Sequence, residues 1–152
     1  MKEHDENRIN ADVYLPDNTH FVGDIIVTGN VIAGNNVTIE GSIDTKRNVY
    51  FGDNAKVDMV FAGGGDQDLR YFHVSCEGFV HFGKHADIED IHTEGDVEIG
   101  EDSSVIIIDT PYNDIIIGNN SRVGWIRATT GEVILGNNVA VIDIKASSIL
   151  FN

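Results

Sequence analysis

The chain has few prolines, few leucines, a single cysteine and little positive charge. It holds two prolines, one cysteine (Cys76) and four leucines among 152 residues. A lone cysteine excludes an internal disulfide and suits a reducing compartment, so we expect a cytoplasmic protein. Ten basic against 25 acidic residues give a net charge of −15, which disfavours nucleic acid and anionic lipid as partners.

Targeting and membrane segments are not expected either. The first eight residues are mostly polar and lack the apolar stretch of a signal peptide. No apolar run in the chain approaches the length of a membrane span. We therefore expect residues 1–12 to be a disordered polar tail and expect no direct membrane binding.

The residues that are abundant indicate an all-β protein with many turns. There are 20 isoleucines and 16 valines, and β-branched side chains suit a pleated sheet better than a helix. There are also 16 glycines and 14 asparagines, which are residues that turn a chain sharply.

A triplet with apolar first and third residues recurs through the chain, followed by glycine, or in the first frame by Pro16, and then by two polar residues. In one frame Ile115, Ile116 and Ile117 precede Gly118 and two asparagines, with aliphatic residues following at Val123 and Ile126. Successive frames keep a nearly constant spacing, except for one long gap, and they begin at Val13, Val31, Val49, Val80, Val97, Ile115 and Val133. A period of about 18 residues predicts a parallel β-helix, a solenoid of about seven coils spanning residues 13–152.

Strand geometry assigns a role to each position of a frame. The first and third residues point inward, because side chains alternate along a strand. The asparagine or aspartate pair makes a corner, since these residues tolerate a left-handed backbone. The ninth and the twelfth or thirteenth residues, such as Val57 and Phe61 in the third frame, open the second and third sides. A left-handed helix would need an aliphatic residue every sixth position, whereas counting from Val105 and Val123 reaches Pro111 and Thr129, so we predict a right-handed, three-sided helix.

The gap between Val49 and Val80 is longer than one period, and we place the extra residues in an insertion at about residues 62–73. Two interpretations stay open. The insertion is either a surface loop tolerated at a coil corner or a docking loop for another protein, to which Leu69, Tyr71 and Phe72 contribute apolar side chains.

The two ends of the solenoid are candidates for polymerisation. No charged residue lies within 146–151, and Ile149, Leu150 and Phe151 would stand beside an unpaired strand edge. Phe151 is interpreted as the first core residue of an eighth coil, and the alternative is that Leu150 and Phe151 fold back as a lid. Val13 and Leu15 belong to the coil at the opposite end.

Outward apolar residues form a second candidate surface. Ile116 and Ile134 occupy the middle of successive triplets, and Trp125 lies outward on the second side. They indicate a lateral or partner contact, although scattered surface apolar residues are also ordinary in soluble proteins.

One stretch resembles a coil of the bactofilin family, and the likeness extends over about residues 13–151. Its pattern is carried by Gly41, Ile43, the triplet Val49, Tyr50 and Phe51, then Gly52, Asp53, Asn54 and Val57. The resemblance implies a right-handed, three-sided β-helix whose rods stack end to end into nucleotide-independent filaments, serving as a cytoskeletal scaffold with itself and other cytoplasmic proteins as partners. The chain departs from that family in its insertion and in lacking an apolar membrane-binding motif in residues 1–12.

The histidines do not suggest catalysis in this frame. His81 and His85 are four residues apart, but the first is an outward strand position and the second a corner. We therefore predict no enzyme, no cofactor and no metal site. Two alternatives stay open: an enzyme on a left-handed helix, such as a hexapeptide acyltransferase or a γ-class carbonic anhydrase with a site between subunits, and a monomeric adaptor that uses the 62–73 loop.

Overall fold

A computed structural model of the chain describes residues 9–63 and 78–151, and its regular elements are all β-strands. Within those ranges the chain forms a single 14-stranded sheet. The strands are β1 Val13–Leu15, β2 His20–Val22, β3 Ile25–Val27, β4 Val31–Ala33, β5 Thr38–Thr45, β6 Val49–Phe51, β7 Lys56–Ala62, β8 Val80–Phe82, β9 Asp87–Thr93, β10 Val97–Ile99, β11 Ser104–Asp109, β12 Ile115–Ile117, β13 Arg122–Leu135 and β14 Ala140–Phe151.

The apolar triplets stack on one another in parallel, in the register that their spacing predicts. Each triplet pairs with the next through its first residue, in the series Val13, Val31, Val49, Val80, Val97, Ile115 and Val133. We call this series the first ladder, and it ends where Ile149 pairs with Val133. All seven predicted frame starts are therefore confirmed.

Two further ladders run beside the first one. The second joins the ninth residues from Phe21 to Val141, and the third joins the residues from Ile25 to Ile144. Strands paired only in parallel, with successive turns of chain stacked on each other, form a β-solenoid of about seven coils. The predicted all-β solenoid is confirmed, while its right-handed sense and three-sided section stay predictions.

The core is built from the inward residues of these ladders. Inward residues of the middle coils are almost completely buried, and the rings of Phe51 and Phe82 stack with centroids 4.9 Å apart. A column that the sequence frame did not include, the seventh residue of each coil, also points inward as Val37, Ala55, Ala86, Ser103 and Ser121. The two serines are accommodated because their hydroxyls accept hydrogen bonds from the neighbouring layer, Ser103 from Ala86 N and Ser121 from Ser103 N.

Each coil turns its first corner at its sixth residue, which has a left-handed backbone. The seven residues are Asn18, Asn36, Asn54, His85, Asp102, Asn120 and Asn138, with φ between 57° and 66°. Asparagine and aspartate adopt this conformation at lower cost than other side chains. The predicted corners are thus confirmed, including the corner position of His85.

The third inward residue of the coil that begins at Val49 was predicted wrongly. Val60 is fully buried and pairs with Ile43, while Phe61 is 38% exposed on the outer face. The reason is a register shift between Ile39 and Ser42, which removes one residue from this corner in the later coil.

The last coil is shorter than the frame predicts. Ala128 pairs with Ala146 in the usual period, but Glu132 pairs with Ser148, so two residues are lost between these two pairs. Phe151 consequently pairs with Leu135 and occupies the third position of its triplet. Its assignment as the first core residue of an eighth coil is wrong, because Ile149 holds that position.

The predicted boundaries fall partly within the described residues. An isolated parallel bridge joins Ile9 to Val27, ahead of the predicted start at residue 13. Ala62, the first residue of the predicted insertion, is the last residue of β7 and pairs with Thr93. Residues 1–8 of the predicted tail and residues 64–73 of the predicted insertion lie outside the described ranges.

Candidate assembly surfaces

The layer formed by residues 139–151 exposes positions that are core in every middle coil. Val133 is fully buried, but Ile149, which stacks on it, is 39% exposed. Leu135 is 4% exposed, and Phe151 above it is 76% exposed. Val139, Val141, Ile144 and Ala146 pack against the core but are only partly buried. The predicted residues Ile149, Leu150 and Phe151 therefore lie together in one open apolar layer.

The backbone and corner of this layer also lack their usual partners. In the preceding coil Asn119 Oδ1 accepts a hydrogen bond from Asn137 N at 2.8 Å, and Asn120 Oδ1 accepts one from Asn138 Nδ2 at 3.1 Å. The corresponding oxygens of Asn137 and Asn138 have no partner in the described part of the chain, where β14 pairs with β13 alone. An open strand edge of this kind is a template for another chain.

Within residues 9–63 and 78–151, the opposite end of the solenoid is open as well. Val13 and Leu15 are only partly buried, and β1 pairs within the described ranges with β4 alone. Val22 in β2 is 70% exposed. The two predicted halves of the polymerisation interface thus lie at opposite ends of the stack, with all the middle coils between them.

One outward residue from each layer of the first ladder builds a stripe along the side of the rod. We call it the first-ladder stripe, and its members are Tyr14, Ile32, Tyr50, His81, Glu98, Ile116, Ile134 and Leu150. Ile116 and Ile134 are neighbours in this stripe, as predicted from their shared triplet position. Trp125, 48% exposed, is not part of it, because Trp125 stacks between Ile107 and Asp143 in other strand segments.

The remaining predicted contact residues, Leu69, Tyr71 and Phe72, lie outside the described ranges.

Two of the described histidines, His20 and His81, pair with acidic residues of adjacent layers. His81 Nδ1 and Glu98 Oε1 are 2.8 Å apart, and His20 Nε2 and Glu40 Oε2 are 2.5 Å apart. These are exposed or half-exposed cross-strand pairs, each with a single acid. His81 lies in β8 and His85 at the corner, so the two do not share a face.

His92 lies between two aspartates, an arrangement that the sequence frame did not reveal. Its ring stacks on Phe61 with centroids 5.2 Å apart. Its two nitrogens lie 3.7 Å from Asp109 Oδ2 and 3.9 Å from Asp90 Oδ2, beyond hydrogen-bond range. Across residues 9–63 and 78–151, no three or more His, Cys, Asp or Glu side chains are placed to hold a metal ion.

In the same ranges, no helix is long and apolar enough to cross a membrane. No protein-family model matches the chain, and no curated protein or solved structure matches it either. Its function is therefore inferred from the open ends and the outward faces of the solenoid.

Proposed function

We propose that this chain is a structural protein whose copies stack end to end into filaments, as in the bactofilins that residues 41–57 resemble. The observation that carries the proposal is the open layer at residues 139–151, where Phe151 is 76% exposed at a position buried in the coils below. Under this proposal the filament is a cytoplasmic scaffold that positions other proteins, and the chain is not an enzyme.

The driving force for stacking is burial of apolar surface. Burying a fully exposed large apolar side chain stabilises a contact by about 1.5–3 kcal/mol. Ile149, Leu150 and Phe151 are 39%, 49% and 76% exposed, so each has surface left to bury against a second copy. The proposed contact uses only the surface and the strand edge of the chain itself, and no nucleotide forms part of it.

Hydrogen bonds across the contact would add to the burial of apolar surface. The open edge of β14 and the side-chain oxygens of Asn137 and Asn138 continue a pattern that joins the coils below them. An end layer of a second copy supplies an equally open strand edge. Its backbone donors and acceptors are already spaced to pair with those of β14.

Phe151→Arg should convert filaments into short oligomers or single rods. The arginine would place an unpaired charge where a second copy must bury apolar surface, and this is costly. Negative-stain microscopy and sedimentation velocity measure the loss of filaments, while far-ultraviolet circular dichroism should keep its β-sheet signal.

Tyr112→Arg is the matched control, since Tyr112 is 68% exposed in the turn between β11 and β12, away from both ends. It should leave filament length unchanged. Wild-type protein that sediments as a single rod at every protein and salt concentration would refute the proposal.

A further inference from the structure

The first-ladder stripe consists of aromatic and aliphatic side chains except at its centre, where two polar residues lie. Six of its eight members are aromatic or aliphatic, and the two polar ones are His81 and Glu98 in the fourth and fifth layers. These two already contact each other within one chain, 2.8 Å apart. On a chain with a net charge of −15, this stripe is a face where another copy can approach closely.

We propose that two copies associate side by side and antiparallel through this stripe. A two-fold axis between the layers of His81 and Glu98 brings His81 of each copy opposite Glu98 of the second copy. The same axis brings Ile32 opposite Ile134, Tyr50 opposite Ile116 and Tyr14 opposite Leu150. Every apolar member therefore meets an apolar member, and the histidine meets the carboxylate.

A parallel arrangement of the same two stripes lacks this complementarity. It would place Glu98 opposite Glu98 and His81 opposite His81, and two carboxylates facing each other across a contact repel. Charge thus selects the antiparallel pair, and the contact is isologous, as two-fold interfaces are.

The borders of the stripe agree with the same arrangement. The acidic residues that precede the triplets of the C-terminal half, Asp96, Asp114 and Glu132, come opposite Phe79, Asn48 and Asn30 of the second copy rather than opposite one another. On the other border the second to seventh triplets are each followed by glycine, so no side chain in these six layers holds a second copy away. These glycines are Gly34, Gly52, Gly83, Gly100, Gly118 and Gly136, where a β-carbon would collide with the preceding layer.

The length of the stripe suits a stable contact. Eight layers enclose seven intervals of about 4.8 Å, which makes a stripe about 34 Å long. Tyr50 also packs against Phe79 with ring centroids 5.7 Å apart, and this widens the apolar surface beside the centre. End-to-end stacking uses only Leu150 of this face and leaves the other seven members free, so lateral pairing does not require the proposed filament contact.

Disulfide trapping between two differently labelled rods tests the arrangement. Ile32→Cys and Ile134→Cys are made separately in a chain that also carries Cys76→Ser and Phe151→Arg, the latter to suppress end-to-end contacts. Under mild oxidation the mixture of the two should form a 32–134 disulfide at least about tenfold faster than either variant alone, because the contact raises the effective thiol concentration to about millimolar.

Three other results would overturn the inference. Faster crosslinking of each variant with itself would indicate a parallel pair. No crosslinking in any sample would show that the stripe does not meet a second copy, as when another part of the chain covers it. Crosslinking that Ile116→Arg leaves unchanged would show that the thiols meet by collision only.

A second pair of positions shows whether a negative result is caused by misfolding of the first cysteine variants. Tyr50 and Ile116 also face each other across the two-fold axis. Tyr50→Cys and Ile116→Cys, tested in the same way, should therefore crosslink to each other as well. The crosslinking test and the filament test are independent. Absence of the crosslink would not refute the proposed filament, and absence of filaments in the Phe151→Arg variant would not prevent the crosslink.

Discussion

The sixth residue of each coil shows how a single side chain supports a repeated turn. All seven have positive φ, and five of them are asparagine. Asn54 Nδ2 donates to Asn36 Oδ1 at 2.8 Å, so the side chain adds a bond to the layer below while its backbone turns the corner. His85 and Asp102 hold the same φ in the centre of the rod. The corner is therefore set by the stacked coils, and asparagine lowers its cost.

Substituting Asn54 separates these two contributions. Asn54→Gly keeps the backbone freedom and loses only the side-chain bond, which should cost about 0.5–1.5 kcal/mol. Asn54→Ala loses the bond and also strains a left-handed residue, adding about 1–2 kcal/mol. Urea denaturation followed by circular dichroism measures both. An alanine variant as stable as the glycine variant would contradict a left-handed corner at this position.

Two phenylalanines from neighbouring coils test the inward and outward assignment. Phe82 is fully buried, and Phe82→Ala should reduce the free energy of unfolding by about 3–5 kcal/mol. Phe61→Ala is the matched control and should cost less than about 1 kcal/mol, because Phe61 is 38% exposed on the outer face. Equal losses in denaturant midpoint would show that Phe61 belongs to the core after all.

At the scale of strands, the periodic pattern predicts stacking but not every register. The triplets could be placed from sequence because each has the same apolar, outward, apolar order before a turn. Val60 and Phe61 are adjacent and both apolar, so only the pairing of β5 with β7 decides which one points inward. The shortened last coil was equally hidden, because Thr129, Thr130 and Gly131 have no periodic signal that marks the loss of two residues.

The candidate surfaces were predictable to a similar degree. Ile149, Leu150 and Phe151 could be selected from sequence, since they form an apolar run without a charge. Seven members of the first-ladder stripe also follow from the middle position of each triplet, whereas Leu150 does not, because its layer depends on the two residues lost from the last coil. The position of His92 beside Asp109 likewise requires the pairing of β9 with β11.

For the molecule as a whole, charge opposes assembly while apolar surface favours it. Copies that each carry −15 repel one another over about 30 Å at 0.01 M salt, but over only about 8 Å at 0.15 M. Raising the salt concentration across this range should therefore lower the protein concentration at which filaments first appear. Light scattering and pelleting measure that threshold. Filaments that dissolve as salt rises would indicate that ion pairs, not apolar contacts, hold the copies together.

The near-constant register between triplets has a consequence for how such a chain can change in length. Val80 pairs with Val97 and Val97 with Ile115, so residues 97–114 make one complete turn of the chain. Deletion or duplication of that segment would leave the remaining triplets in register with one another. Insertion or deletion of only a few residues would shift the register and turn core side chains outward. The gene for such a rod can thus be lengthened or trimmed in modules, each adding or removing one rung of about 4.8 Å.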